Sequence, residues 1–515
     1  MKIAPRLSLL VLAVAALSAP PAPAQTDAGA VSFANSGSPA AQAPFLHGLA
    51  LLHNFEYGPA LADFQKAASI DPGFAMAYWG EAMTFNHPIW MEQDRAAARA
   101  TLDRLAPTPE ARQTKAPTQR EKDYLAAVEI LYGDGAKSDR DLRYAAAMER
   151  LSRTYPDDVD AAAFYALALL GSAEGVRDER IYMQAAAVLI PLFYTHPNHP
   201  GVAHYLIHSC DDPIHAPLAL PAARAYSHIA PVSAHAQHMT SHIFLALGMW
   251  DDVVKANEAA VAAVHRMHAV ASKTTGHCGH ANYWLEYGYL ETGRIEQARQ
   301  IVEGCRDEAS SAGMIQRASG AADPDDASLL SFLEMQRRYI IDTNDWTGAV
   351  AGLTVDAGDL PLAHFYQLAE RGSVAVGQHD PSGAHAALST IDDLLPKLPA
   401  VFDRAGVAPN DPMRRVPSVE RTQLAALIAD AEGRPDEAIH LAQQAAAQEQ
   451  TLPYAFGPPS PIKPSYELLG ELLLEQNRLP EAEAAFHEAL LRAPNRKQTL
   501  ADLQRAGTRL ATLNP

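Results

Sequence analysis

The sequence predicts an all-α protein, an α-solenoid of stacked helical hairpins, and three observations lead to this prediction. Hydrophobic residues make up 48% of the 515 residues but aromatic residues only 7%, and this composition suits stacked helices better than sheets. Apolar positions recur at helical spacing, without the alternation that is typical of strands. Two histidine pairs, 204/208 and 238/242, repeat at a distance of 34 residues, which indicates consecutive copies of one unit.

The chain begins with a predicted signal peptide over residues 1–24. Lys2 and Arg6 give a positively charged start, and the apolar run from Leu7 to Leu17 is too short to span a bilayer. Ala22-Pro23-Ala24 then offers a small-residue cleavage site, so we expect cleavage after Ala24. We therefore expect a periplasmic or secreted protein with no transmembrane segment in the mature chain. A formal net charge of −19 argues against nucleic acid as a partner.

The repeat pattern is clearest in the last hairpin. Small residues stand where two helices would cross, and a phenylalanine and leucines fill the space between hairpins. The spacing of these residues resembles the tetratricopeptide-repeat pattern. They are Tyr466, Leu469, Gly470, Leu473, Ala482, Phe486, Ala489 and Pro494. The resemblance implies a tetratricopeptide-like α-solenoid of helix–turn–helix repeats.

The same frame divides the mature chain into segments. Gly48, Ala60 and Phe64 follow the pattern near its start. Breaks in the rhythm and Pro-rich stretches then set the other boundaries. We predict a flexible segment over 25–41, repeats over 42–310 with an insertion at about 88–117, a loop over 311–330, irregular helical repeats over 331–453, a Pro-rich connector over 454–464, and a final repeat with a capping helix over 465–515.

Three longer stretches resemble a family of exported bacterial tetratricopeptide-repeat proteins. They are AYWGEAMTFNHPIW, the region from HYLIHSCDDP to DVVKANEAA, and YAFGPPSPIKPSYELLGELLLE. Together with the repeat pattern, this resemblance covers most of the mature chain. It implies the fold and the export, and it implies little about chemistry.

Histidines cluster strongly in the middle of the chain, where 13 of the 21 lie between residues 196 and 280. A spacing of four places His204 and His208 on one helix face, and His238 and His242 on the equivalent face of the next unit. His235 and His280 stand near the starts of their own units. The family resemblance implies that these positions line the concave groove.

Three interpretations of this cluster remain open. The first is a metal site for zinc, copper or iron, in which His204, His208, His238, His242 and His235 supply ligands. The second is a metal-free groove that binds a peptide or a small anion, and the third is a structural hydrogen-bond network. Asp211 and Asp212 continue the helix face as oxygen ligands or as acceptors behind the histidines, while His280, His87 and Asn86 would line the groove.

These observations favour a binding or scaffold protein with a histidine-rich, metal-binding concave pocket. Its partners would be a protein, a peptide or a small ligand in the groove. The alternative is a metal-dependent enzyme, a hydrolase or an oxidoreductase, that uses the same histidines. The sequence contains no closed catalytic motif that distinguishes the two.

Two of the three cysteines are placed to form a disulfide. Cys278 stands at the start of one predicted helix and Cys305 at the end of the next, with Gly293 at the turn between them. Because those two ends meet in an antiparallel hairpin, we predict a Cys278–Cys305 bridge. The alternative is a pair of free buried thiols.

Overall fold

A computed structural model describes residues 24–174, 177–270, 276–312, 328–357, 360–404, 407, 409 and 411–513. Nearly all of the predicted signal peptide, and most of the predicted loop over 311–330, lie outside the described residues. Among the described helices, none combines the length and the apolar character that crossing a bilayer requires.

The described chain is built of helices that pack against their neighbours in sequence, so the all-α prediction is confirmed. The first helices are α1 (Pro39–His53), α2 (Tyr57–Ile70), α3 (Ala75–Met83), α4 (Arg95–Leu105), α5 (Pro109–Lys115), α6 (Gln119–Leu131), α7 (Lys137–Thr154), α8 (Val159–Gly171) and α9 (Glu179–Thr195). The middle contains α10 (Pro200–Ser209), α11 (Ala216–Ile229), α12 (Ala234–Ala246), α13 (Trp250–Val270), α14 (His280–Glu291) and α15 (Ile295–Ala312). The last are α16 (Ser328–Thr343), α17 (Pro361–Gly377), α18 (Pro381–Leu394), α19 (Leu398–Arg404), α20 (Val416–Ala431), α21 (Pro435–Gln450), α22 (Ser465–Glu475), α23 (Leu479–Arg492) and α24 (Lys497–Leu513).

Close helix crossings follow the small residues of the repeat pattern. A Cβ atom on Gly470 would lie 2.4 Å from the Phe486 ring, and one on Gly80 would lie 2.4 Å from the Phe64 ring. Both phenylalanine rings are fully buried. Gly470 and Phe486 belong to one hairpin, whereas Gly80 on α3 meets Phe64 of the preceding helix α2. Glycine is therefore required at helix crossings both within a hairpin and between hairpins.

The segment predicted to be flexible, 25–41, is instead partly ordered. Strands β1 (Ala24–Thr26) and β2 (Gly29–Val31) form a short antiparallel hairpin. Phe33 is buried, with its ring centroid 5.5 Å from that of Trp79 and 5.1 Å from that of Tyr124. Burial of an aromatic ring offsets the conformational entropy that ordering this segment loses, and the sequence pattern did not reveal the partner rings.

The predicted insertion at 88–117 has structure of its own. Strands β3 (Asn86–His87) and β4 (Glu92–Gln93) form a second short hairpin around a 3-10 turn at Pro88–Trp90, and helices α4 and α5 follow it. The hairpin carries Trp90 outward, where its side chain is 38% exposed. The insertion therefore brings an aromatic side chain to the surface beside the first repeats.

The turns that end the first helices of the repeats share a left-handed residue. Gly293 has φ 74°, Gly433 has φ 72° and Asn477 has φ 58°, and these residue types adopt this conformation at little cost. The turn after α1 differs, because Phe55 occupies the equivalent position with φ 60°. A bulky residue in this region is uncommon and strained, so a compensating contact is expected.

The C-terminal repeat packs back onto the middle of the chain. Arg496 is buried, and its guanidinium pairs with Glu291 at 3.2 Å, Asp342 at 2.5 Å and Glu467 at 2.8 Å. In the predicted connector 454–464, the backbone at Gly457 passes so close to Trp284 that a Cβ atom would lie 2.6 Å from the indole. The connector therefore packs against α14 in addition to joining two helices.

The predicted disulfide is confirmed. Cys278 and Cys305 are bonded, with their Cα atoms 4.6 Å apart, and the bond joins the start of α14 to α15. The third cysteine, Cys210, is a buried thiol whose pKa is raised to about 12 by burial. A thiol of this kind is protonated at neutral pH and is not a reactive nucleophile.

Candidate metal centre

Six of the clustered histidines form two groups of three. The first group is His204 and His208 from α10 with His235 from α12, and the second is His238 and His242 from α12 with His280 from α14. Within each group, one ligand atom per residue lies within 4.8 Å of the others. This corrects the expectation of one site formed by both pairs.

The division into two groups follows from the position of α12 between α10 and α14. The ring of His235 contacts that of His204, with centroids 4.9 Å apart, whereas the ring of His238 contacts that of His280 at 4.5 Å. Each group therefore takes two histidines from one repeat and the third from the first turn of the next. His280, predicted to line the groove, belongs to the second group itself.

In the first group, His204 is held by a backbone carbonyl. Its Nδ1 donates to the His53 carbonyl oxygen at 2.7 Å, which leaves the lone pair of a neutral ring on Nε2. That Nε2 lies 3.1 Å from Nε2 of His235. The Nε2 atom of His208 is buried and has no hydrogen-bond partner among the described residues. Three imidazoles therefore offer nitrogen atoms to one small volume.

In the second group, both histidines of the pair are anchored through Nδ1. His238 Nδ1 lies 2.7 Å from Asn257 Oδ1, and the amide orientation is set because Asn257 Nδ2 donates to the Val253 carbonyl oxygen at 2.9 Å. His242 Nδ1 lies 2.5 Å from Asp211 Oδ2. The Nδ1 atom of each ring is therefore occupied by an oxygen acceptor, and the neutral ring of His238 carries its lone pair on Nε2.

The Nε2 atoms of these two rings face each other at short range. They are 3.1 Å apart, and the neutral ring of His238 offers a lone pair there. A proton or a metal ion between the two atoms would hold them at this distance. Tetrahedral coordination at nitrogen–metal distances of about 2.1 Å separates two ligands by about 3.4 Å, close to the spacing here.

Protonation is opposed by the surroundings of the rings. Burial lowers the pKa of His204, His208, His235 and His238 well below the ordinary value, and the neighbouring histidines lower it further. Such rings are neutral at pH 7, and a neutral imidazole is the form that binds a metal ion.

The two aspartates predicted near the histidines have different surroundings. Asp211 accepts from His242, as expected of an acceptor behind a ligand. Asp212 is turned away and pairs with Arg177 and with His215 Nδ1, the latter at 2.8 Å. Its Oδ1 also accepts from the backbone N–H of His215 at 2.9 Å. Asp212 therefore stabilises the turn after α10 and is not directed at the histidine groups.

Asn86 and His87 lie on the β3–β4 hairpin, outside both groups. Asn86 Oδ1 accepts from Gln93 at 2.8 Å, and His87 Nε2 donates to the Thr84 carbonyl oxygen at 3.1 Å. The ring of His87 stacks on Tyr57 with centroids 3.9 Å apart. These two residues help build the aromatic surroundings of the first group but supply no ligand to it.

A third buried cluster, which the sequence did not reveal, stands behind the first group. Asp160 Oδ1 accepts from His53 Nε2 at 2.9 Å and from His199 Nε2 at 3.2 Å. The hydroxyl of Tyr205 lies 3.0 Å from His53 Nδ1. The hydrogen-bonded partners are 39 to 152 positions apart in the chain, so no periodic spacing could have linked them.

The residues of this cluster are joined by a hydrogen-bond network. The backbone N–H of Val202 donates to His199 Nδ1 at 3.3 Å, so the proton of that ring is on Nε2, facing Asp160. Burial lowers the pKa of His53 to about 4, which keeps its ring neutral. The network fixes His53, whose carbonyl oxygen in turn fixes the ring of His204.

Each group of three is buried on one side and open on the other. His204, His208, His238 and His242 are buried, whereas His235 is half-buried and His280 is exposed. The histidines are therefore largely covered, with one accessible ring in each group. The first group is covered by the turn after α1, with the Phe55 ring centroid 4.3 Å from that of His204.

The helical hairpins and their small-residue crossings define a tetratricopeptide-like α-solenoid that carries two groups of three histidines. No protein-family model and no curated protein matches the chain.

Similar folds occur among solved structures. The Cut9–Hcn1 hetero-tetramer of the APC/C has 12% identity and a TM-score of 0.35, covering 92% of this chain and 78% of that chain. Yeast Tom70 has 12% identity and a TM-score of 0.37, covering 92% and 96%. The P58(IPK) TPR domain has 13% identity and a TM-score of 0.23, covering 92% and 99%. Superpositions this loose carry no argument about function.

Proposed function

We propose that this protein is an exported helical-repeat protein that binds transition-metal ions at two adjacent three-histidine sites. One observation carries the proposal: the Nε2 atoms of His238 and His242 face each other at 3.1 Å while the Nδ1 atom of each ring meets an oxygen acceptor elsewhere. A bound cation would be shared by both Nε2 atoms, and burial disfavours a proton on His238.

The types of ligand atom narrow the choice of metal ion. Imidazole nitrogens bind zinc, copper and iron, whereas magnesium, calcium and manganese prefer carboxylate and carbonyl oxygens. In both groups the third histidine is the accessible one, so solvent or a ligand can reach the metal position from that side. Three protein ligands with an accessible fourth position differ from the closed four-ligand arrangement of structural zinc sites.

Export is part of the proposal. The start of the sequence has the features of a signal peptide, and the Cys278–Cys305 bridge suits an oxidising compartment. A repeat solenoid is also a common scaffold for binding partners. Near the histidines, however, the connector packs against Trp284, which favours a metal or a small ligand over a long peptide at this point.

A metal-dependent enzyme is the second candidate. The accessible side of each group, at His235 and at His280, favours it because a catalytic metal needs an exchangeable position for water or substrate. Hydrolytic and oxidative chemistry both remain compatible with imidazole ligands. Azide or imidazole added to the cobalt-loaded protein would replace a metal-bound water at such a position. A change in the visible absorption spectrum on this addition would support this candidate.

Elemental analysis of the full-length protein, purified from its exported location, tests metal binding. We expect about two metal equivalents in the wild type, and about one in each of the double variants His204→Ala/His208→Ala and His238→Ala/His242→Ala. The matched control is His440→Ala/His487→Ala, which removes two exposed histidines of α21 and α23 and should leave the content unchanged. Folded protein that contains no metal and binds no added zinc, copper or iron would refute the proposal.

A further inference from the structure

The two three-histidine sites have different surroundings, and we propose that they accept ions of different charge. The first group (His204, His208 and His235) binds monovalent copper, and the second group (His238, His242 and His280) binds a divalent ion such as zinc. This inference rests on the proposed metal-binding function, and it adds the selectivity of each site.

Neutral groups surround the first site. The acceptor behind His204 is the carbonyl oxygen of His53, and the ring of Tyr226 stacks on His204 with centroids 5.2 Å apart. The ring of Phe55 covers His204 at 4.3 Å, and that of Trp90 lies 6.0 Å from His235. No carboxylate among the described residues hydrogen-bonds to any of these three histidines.

The nearest buried charges do not change this balance. Asp160 is bonded to His53 and His199 and contacts none of the three ligands. Arg177 is paired with Asp212, and both side chains are buried. Glu56, next to Phe55 on the turn after α1, accepts from the Ser233 hydroxyl at 2.6 Å. Among the described residues, no carboxylate is hydrogen-bonded directly to a ligand of the first site.

The second site has a negative charge behind one ligand. Asp211 Oδ2 lies 2.5 Å from His242 Nδ1, and both side chains are buried. A carboxylate in this position raises the basicity of the imidazole and partly neutralises the bound ion. His280 is exposed whereas His235 is half-buried, so water reaches this group more readily than the first.

These differences matter because the penalty for moving an ion out of water rises with the square of its charge. A divalent ion pays about four times the penalty of a monovalent ion of the same size in a dry site. Among the metals that imidazole binds, copper has a stable monovalent state. The uncharged first site therefore favours monovalent copper, whereas the carboxylate and the solvent at the second site compensate a divalent ion.

Competition titrations of the metal-free, full-length protein test this assignment. Monovalent copper is titrated anaerobically against bicinchoninate, and zinc is titrated against a chromophoric zinc chelator. We expect His204→Ala/His208→Ala to lose tight copper binding and keep zinc, and His238→Ala/His242→Ala to lose zinc and keep copper. Circular dichroism before each titration confirms that every variant is folded.

A charge-only substitution gives an independent measurement. Asp211→Asn removes the charge but leaves an oxygen acceptor for His242, so the zinc affinity should fall by about 10- to 100-fold while the copper affinity is unchanged. Asp157→Asn, at an exposed position distant in sequence, is the matched control for net charge and should change neither affinity.

The outcomes separate this inference from the function on which it rests. If both sites bind zinc equally well, or if Asp211→Asn weakens copper as much as zinc, the assignment by charge is overturned and metal binding stands. If the folded wild type binds neither ion, the proposed function fails as well.

Discussion

Phe55 offers a direct test of how the first site is built, because its backbone is strained. It has φ 60° at a turn where the equivalent residues are Gly293, Gly433 and Asn477. For a residue with a Cβ atom, the left-handed conformation is unfavourable by about 1–2 kcal/mol. The Phe55 side chain compensates, since it is only 8% exposed and its ring contacts those of His204 and Trp90.

Two substitutions separate the backbone strain from the side-chain contacts. Phe55→Ala loses the buried ring and should lower the free energy of unfolding by about 3–5 kcal/mol. Phe55→Gly loses the same ring but also relieves the strain, so it should be about 1 kcal/mol more stable than Phe55→Ala. This order is the reverse of the usual one, in which glycine is the less stable residue by about 0.5–1 kcal/mol.

Urea-induced unfolding of the metal-free protein, followed by circular dichroism, measures both free energies. The control is Gly433→Ala, where φ is 72° and no atom lies within 4 Å of the added Cβ. There the strain acts alone, so we expect a loss of about 1 kcal/mol. If Phe55→Ala is as stable as Phe55→Gly or more stable, the strain argument is refuted.

Three further perturbations address the disulfide, the buried histidine and the buried arginine. Replacing Cys278 and Cys305 by alanine removes a disulfide between residues 27 positions apart and should lower the free energy of unfolding by about 3.5 kcal/mol. If digests of the unreduced wild-type protein contain both cysteines as alkylated thiols, the disulfide is contradicted. Burial lowers the pKa of His53 from 6.5 in the unfolded chain to about 4 in the folded chain, so the unfolded chain binds this proton more readily. The contribution of His53 to the free energy of unfolding is therefore complete above pH 6.5 and falls by about 3 kcal/mol as the pH falls to 4. Urea titrations of the metal-free protein should show this loss reduced in His53→Gln, and an unchanged pH dependence would argue against it. Arg496→Met leaves three carboxylates without their cation and should lower the free energy of unfolding by about 3–5 kcal/mol in urea unfolding. If the variant is nearly as stable as the wild type, these carboxyl groups are neutral in the folded protein.

Local signals in the sequence were sufficient to predict the fold class and the ligand types. Helical periodicity and small residues at fixed offsets, such as Gly470 before Phe486, predict stacked hairpins because each repeat contacts chiefly its neighbours. The spacing of four and the period of 34 placed His204 and His238 on equivalent faces of adjacent repeats. The Cys278–Cys305 bridge was predictable for the same reason, since it joins the two helices of one hairpin.

The grouping of the histidines was decided by tertiary structure. The helix α12 lies between two others, so His235 meets α10 while His238 meets α14, and one expected site becomes two. No periodicity indicates which side of a helix a given turn approaches in a superhelix, because that depends on the packing of both neighbours.

The surroundings of the two sites also depend on contacts between distant parts of the chain. His204 depends on His53, 151 residues earlier. Trp284, whose ring contacts that of His242, meets the connector at Gly457, 173 residues later. The amino-acid order determined that imidazoles would meet on one surface of a helical solenoid. Only the folded chain decided that one set is enclosed by uncharged groups and the other backed by Asp211, because burial and charge at a site are sums over neighbours from the whole chain.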